Sequence, residues 1–217
     1  MSQDMLALLI KSLGETIYMV SISMGLAVVI GIPLGVLLVT TSKHHVLEAV
    51  AFNRVLAGIV NAVRSIPFII LMVAIIPLTR LIVGSSIGTT AAMVPLTIAA
   101  IPFIGRQVET SLKEVEYGVI EAALSMGATP GQIIWRVLLP EALPGIISQL
   151  TTVVIGLVGS SAMAGAIGGG GLGDLAIRYG YQRFRPEVML ATVLVLIVLV
   201  QIVQFAGNTM ARRLNKK

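Results

Sequence analysis

Five stretches of this chain are too long and too apolar to be covered by the rest of it, and every other feature must fit around them. They run from about residue 17 to 40, 57 to 78, 87 to 104, 145 to 167 and 188 to 206, each near the roughly 20 helical residues that cross a hydrocarbon core of about 30 Å. Backbone in hydrocarbon must satisfy its own hydrogen bonds, so these stretches are predicted as helices. Composition agrees: 56% of residues are hydrophobic, only 12% are charged, and mean hydropathy is +0.98. A soluble domain is nearer a quarter charged. The expectation is one all-α integral membrane domain over residues 1–217. The opening MSQDMLALLIKSLGE has an acidic residue, a broken apolar run and no small-residue cleavage site. It is not a cleaved signal peptide, and an interfacial helix is expected there.

The formal charge of +5 sits mainly in loops and the tail, where it sets topology and does not imply nucleic acid. Lys43, Arg54, Arg106, Lys113, Arg136, Arg212, Arg213, Lys216 and Lys217 fall on one side of the predicted spans. Lys11, Arg80, Arg178, Arg183 and Arg185 fall on the other. The bias, decided by the terminal RRLNKK, places the C-terminus in the cytoplasm and the N-terminus outside. Cysteine is absent, which removes disulfides, thiol catalysis and thiolate metal sites. The only histidines are the adjacent His44 and His45, and no GxxxxGK[ST], HExxH or GxSxG occurs. Residues 168–173, GGGGLG, fit GxGxxG in form only, because a spanning helix precedes them where a strand is required. No catalytic site, metal or cofactor is expected.

The spans carry features beyond anchoring. Pro33, Pro67, Pro77, Pro95 and Pro102 lie inside them and predict bends that shape a path. Gly31 with Gly35, and Gly165 with Gly169, predict close helix crossings. The fourth span holds Gln149, Thr151, Thr152, Ser160 and Ser161, with Met163 the one bulky side chain among Gly, Ser and Ala. Met163 has two readings, a gap-filling side chain or a flexible apolar plug in a narrow path. Arg64 is the ionisable residue nearest a span interior and is placed at the cytoplasmic headgroup level before Pro67. On the outer side, residues 168–186 combine flexible glycines with Asp174, Arg178, Tyr179, Tyr181 and Arg183. That mixture suits an aromatic and basic belt or a surface meeting a soluble partner.

Residues 107–143 are too polar to span and too well patterned to be slack. Leu112, Val115, Val119, Ala122 and Met126 predict one helix with an apolar stripe. Gly127 follows as a left-handed C′ residue. Thr129-Pro130-Gly131-Gln132 starts a second helix with a capping box, and Pro140 and Pro144 are expected to end it. Such a helix pair on the aqueous face of a membrane protein is a docking device.

This segment resembles the EAA loop of ABC-importer permeases, through Glu121-Ala122-Ala123, Gly127, Val137 and Leu139-Pro140. The family usually has Ile where Val137 stands. The resemblance implies a type I importer permease: five transmembrane helices and a cytoplasmic helix–turn–helix coupling segment, using those seven residues to couple to an ATPase. It also implies two ATP-binding subunits, a second copy of this chain and an external substrate-binding protein as partners, in the bacterial inner membrane. RSIPF, AGAIGGGGLGD and the five-span length are similar to the methionine-importer branch. On this reading ATP hydrolysis belongs to the partner, and the chain supplies an alternating-access path. Met163, Ser160 and Ser161 are its pathway or gate, and Tyr179, Tyr181 and Arg183 meet the binding protein. Five helices are a thin wall for an amino-acid path, and one docking segment would half-fill a two-fold ATPase dimer; both favour a symmetric pair. The rivals are a permease for another small amino acid or related solute, and an ATPase-independent channel. A channel needs a polar or charged ring along a span, and only the hydroxyls of the fourth span offer one.

Overall fold

Helix is the only regular structure among the described residues, 3–214 of the computed structural model. Lys216 and Lys217, which entered the orientation argument, lie outside them. Four helical stretches are long and apolar enough to cross a membrane: Asp4–Thr40, Thr89–Lys113, Pro130–Gly169 and Pro186–Leu214. A fifth span exists if the broken pair Val50–Arg64 and Phe68–Ala74 counts as one. Three of the expected boundaries change.

The first change is at the start. Helix α1 runs unbroken over Gln3–Thr40, so the expected interfacial helix is the first part of the spanning helix. Nothing in residues 3–16 breaks a helix, and Lys11 and Glu15 are paired at 3.9 Å one turn apart. The second change is that the expected span 57–78 is three helices, α2 (Val50–Arg64), α3 (Phe68–Ala74) and α4 (Ile76–Val83). Pro67 has no N–H to continue α2 and becomes the N-cap of α3, while Pro77 sits in the first turn of α4. Helix α5 (Thr89–Lys113) carries Pro95 and Pro102 without interruption.

The third change concerns Pro140 and Pro144, which do not end a helix. After α6 (Tyr117–Ser125), helix α7 (Pro130–Ile133) passes through a π turn, Ile134–Leu138, straight into α8 (Leu139–Ala164). The Leu139 N–H donates to the Ile134 carbonyl, five residues back. The ladder thus widens just before Pro140, whose ring would otherwise collide with the carbonyl four residues earlier. A glycine-rich turn, α9 (Gly171–Leu175) and another π turn (Ala176–Tyr181) lead to α10 (Pro186–Leu214).

The chain divides into two compact units, and α1, α5, α8 and α10 each contribute to both. One holds the chain up to Ala27, Ile66–Ala100 and Val154–Gln204. Its centre is the glycine turn. Gly168, Gly170 and Gly171 have φ of 93°, 78° and 75°, and Gly88 N–H donates to the Gly168 carbonyl at 2.9 Å. The free N–H groups of Gly171 and Leu172 are taken by Glu15 Oε2 at 2.8 Å and Thr16 Oγ1 at 2.9 Å, both from α1. A Cβ on Gly173 would lie 2.2 Å from the Ala162 carbonyl oxygen. These glycines, expected to be flexible, form a tightly packed, hydrogen-bonded reversal. Gly165 and Gly169 serve it too, touching backbone of the same turn and making no crossing between spans.

The other unit holds Val28–Ser65, Ile101–Val153 and the chain from Phe205 onward. Here the expected crossing at Gly31 and Gly35 is present. A Cβ on either would sit 2.6 Å from Ile104 or Val108 of α5. Gly207 of α10 packs as closely on Thr151 of α8, a crossing the sequence spacing did not reveal. Glu109 of α5, nearly buried, lies between Arg106 at 2.5 Å and Lys113 at 2.7 Å. Arg106 Nη2 also donates to Asn61 Oδ1 of α2 at 2.8 Å, so the network ties α2 to α5.

Candidate functional site

The segment between α5 and α8 is built from local rules. Helix α5 ends at Lys113, Glu116 is extended, and α6 begins at Tyr117. This break removes the expected continuous stripe: Leu112 belongs to α5, Ala122 is exposed and Met126 is 81% exposed, while Ile120 and Ala123 face inward. Helix α6 then ends in a Schellman motif. Gly127, at φ 76°, donates to the Leu124 carbonyl at 2.9 Å, and Ala128 donates to the Ala123 carbonyl at 3.1 Å. The left-handed corner predicted at Gly127 is therefore present.

Helix α7 starts with the predicted capping box. Gln132 N–H donates to Thr129 Oγ1 at 3.4 Å, and Thr129 N–H donates to Gln132 Oε1 at 2.9 Å. Two of the orphan donors of a helix start are thus satisfied by side chains. Ile133 and Leu138 are fully buried and anchor the second arm of the elbow, while Val137 and Leu139 are half-buried and Pro140 is exposed. Glu121 is exposed and makes no hydrogen bond or ion pair to another described residue. It does not hold the elbow together from within. Beside exposed Glu121, Gln132 and Arg136, the elbow presents apolar side chains outward: Tyr117, Val119, Leu124, Met126 and Trp135, the last 74% exposed.

In α8 the predicted gate residues separate. Met163 is 51% exposed and continues a face of Thr152, Gly156 and Gly159, all exposed. A Cβ on Gly156 or Gly159 would meet nothing within 4 Å. Ser161 points the other way, is 2% exposed and donates to its own helix at the Val158 carbonyl, 2.7 Å away. Thr151 and Thr152 likewise donate to Ile147 and Ser148 carbonyls. These hydroxyls are occupied by backbone, as Ser and Thr in apolar helices commonly are. Ser160 is half-buried beside Met163's face.

The three outer residues also divide. Tyr179 packs on a buried cluster of Met5, Leu175 and Val188, and the Arg183 guanidinium stacks 4.4 Å above its ring. Tyr181 is free of that cluster and exposed. Asp174 is hydrogen-bonded to Arg178, and chiefly that bond, with the attraction between the charges, raises the Arg178 pKa. Phe184, which the sequence did not single out, has φ 52° and is almost fully exposed at the tip. Positive φ in a phenylalanine carries no sequence signal.

Arg64 is exposed at the end of α2, with its guanidinium 5.0 Å over the Phe103 ring. His44 donates its backbone N–H to Glu48, and His45 Nδ1 accepts from Val46 N–H at 3.0 Å. Burial lowers the His45 pKa. No cluster of metal-ligating side chains occurs among the described residues.

Residues 28–217 match the family described as the binding-protein-dependent transport system inner membrane component. The chain belongs to this family. It is a multi-pass inner membrane permease component. It is 56% identical over 210 residues to the probable D-methionine transport system permease protein MetI of Vibrio cholerae serotype O1, covering 97% of this chain and 93% of that protein. To the D-methionine transport system permease protein MetI of Escherichia coli K12 it is 52% identical over 165 residues, 76% of each chain. A chain of the MetNI methionine ABC transporter, solved in inward facing conformations, matches with a TM-score of 0.98 and 48% identity over 100% of both chains. A chain of an amino acid ABC transporter solved with histidines shares the fold, with a TM-score of 0.78 at 21% identity, over 98% of this chain and 100% of that one. The all-helical permease architecture expected from the EAA resemblance is the one observed.

Proposed function

We propose that this chain is the permease subunit of a methionine ABC importer, a single transport domain that forms the path while a separate ATPase subunit hydrolyses ATP. The observation that carries this reading is the full-length likeness to a MetNI transporter chain, at a TM-score of 0.98 and 48% identity. The exposed elbow fits the coupling role. Its backbone is fixed by a Schellman motif and a capping box, so it can move as a rigid body when the ATPase subunits close. Met126, Leu124 and Trp135 offer apolar surface to a groove, and Glu121 a carboxylate with no competing partner among the described residues. Ala122, Ala123, Gly127, Val137, Leu139 and Pro140 shape the elbow that presents them.

Two copies of the chain pair through the small-residue face of α8, and Met163 closes the path between them. A thioether with three rotatable bonds can swing aside without breaking a hydrogen bond. An external binding protein delivers methionine to the outer surface, where Tyr181 and Arg183 meet it and Tyr179 supports Arg183. The C-terminus is cytoplasmic and the N-terminus outside. The test is reconstitution of this chain with its ATPase subunit and binding protein in vesicles. ATP-dependent accumulation of labelled methionine is expected. ATP hydrolysis stimulated by the binding protein without methionine uptake overturns the substrate, and failure to retain any ATPase subunit overturns the class.

A further inference from the structure

Behind the elbow lies an open cleft of about 630 Å³. Its walls are the two ends of the coupling segment, residues 111–119 and 140–145, together with Leu214 at the end of α10. Three carboxylates line it, Glu114, Glu116 and Glu141, and no described basic side chain does. None of the three makes a hydrogen bond or ion pair to another described residue. Beside them is Ser111, only 2% exposed, whose Oγ has no hydrogen-bond partner. Ser111 Oγ and Glu114 Oε2 approach the same point, 3.3 Å and 3.7 Å from where a Cβ on Gly145 would be. A buried hydroxyl left unpaired is costly, so this one is a partner in waiting.

The chemistry selects a cation of a particular kind. The carboxylates do not form a metal-binding group. The lining mixes them with apolar Val115, Val119 and Pro144. An ammonium or guanidinium head on an aliphatic stem satisfies both halves at once, the head among carboxylates and the stem along the apolar wall. We propose that the cleft receives a lysine or arginine side chain of the ATPase subunit, as a second contact behind the coupling elbow. The occupant follows from position: the cleft is continuous with the elbow, and a charge held there touches both ends of the segment that must move. This inference rests on the importer reading above.

The test uses the full-length chain and its ATPase subunit in detergent, with the affinity measured across a salt series. Glu114→Gln, Glu116→Gln and Glu141→Gln combined should raise the Kd by about tenfold at low salt and flatten its salt dependence. The chain's own thermal stability should stay unchanged. Ser111→Ala, carried as a second variant, should weaken the complex while raising the stability of the chain alone. An unchanged Kd and salt curve in the triple variant overturns the proposal. So does a chain cut after Leu214 that reproduces the triple variant's loss, since the occupant is then this chain's own lysines. Stabilisation of the isolated wild type, but not the triple variant, by spermidine with no change in ATPase affinity assigns the cleft to a free cation and also overturns it. A wild-type chain that retains no ATPase subunit at any salt concentration marks failure of the importer reading instead.

Discussion

Gly127 and Gly173 are glycine for different physical reasons, and substitution separates them. Gly127 has open space around its Cα but φ 76°, so a side chain costs backbone strain alone. Gly127→Val should lower stability by about 1–2 kcal/mol, the price of a left-handed L-residue, and weaken ATPase retention while the spans still insert. Gly173 has no such room, with the Ala162 backbone 2.2 Å from any Cβ. Gly173→Ala should leave little monodisperse protein after detergent extraction. A normal yield from Gly173→Ala would show that the glycine turn can open. His45 gives a pH prediction at the same scale. Its folded pKa lies below the unfolded value near 6.5, so the unfolded chain binds more protons between the two. Stability is complete above that window and falls as pH drops through it. Melting from about pH 8 down to about pH 5 should show this loss, and His45→Gln should remove it.

Among elements, the tie between α2 and α5 is the most exposed to a single change. Glu109 is nearly buried and neutralises Arg106, which also reaches Asn61. Glu109→Ala should cost about 3 kcal/mol or more, because it strands a largely buried guanidinium. Replacing both partners, Arg106→Met with Glu109→Leu, should recover most of that loss in the same melting experiment. Equal damage from the double variant would place the effect in packing. The continuous helix through Pro140 has a similar lesson. A proline does not by itself stop a helix: one π turn lets the chain pass Pro140, and α5 carries Pro95 and Pro102 with no such turn.

For the whole molecule the informative change is one this chain by itself does not feel. Gly159 has nothing within 4 Å of a built Cβ, so Gly159→Leu should leave the isolated chain inserted and folded. If the α8 face is where two copies meet, native mass spectrometry should show the pair lost. A pair of normal stability would move the interface elsewhere. Met163→Ala probes the same face. Being half-exposed, Met163 contributes little packing within one chain, so its loss should raise solute leak through reconstituted vesicles with little change in melting.

The division between what was legible and what was not follows the range of the forces. Hydropathy placed four of the spans, since the cost of apolar surface in water needs no partner to be known. Gly127 and the Thr129–Gln132 capping box were legible because their hydrogen bonds close within five residues. A close crossing at Gly31 and Gly35 was legible as a spacing on one helix, but its partner α5 was not. The π turn that carries the helix past Pro140, with Leu138 of that turn buried, has no such local signature in the sequence. Glu15 and Thr16 cap Gly171 and Leu172 from 156 residues away, and the Arg106–Asn61 bond spans 45. Pairings of that range exist only once helices are side by side, and so only the tertiary structure decided them.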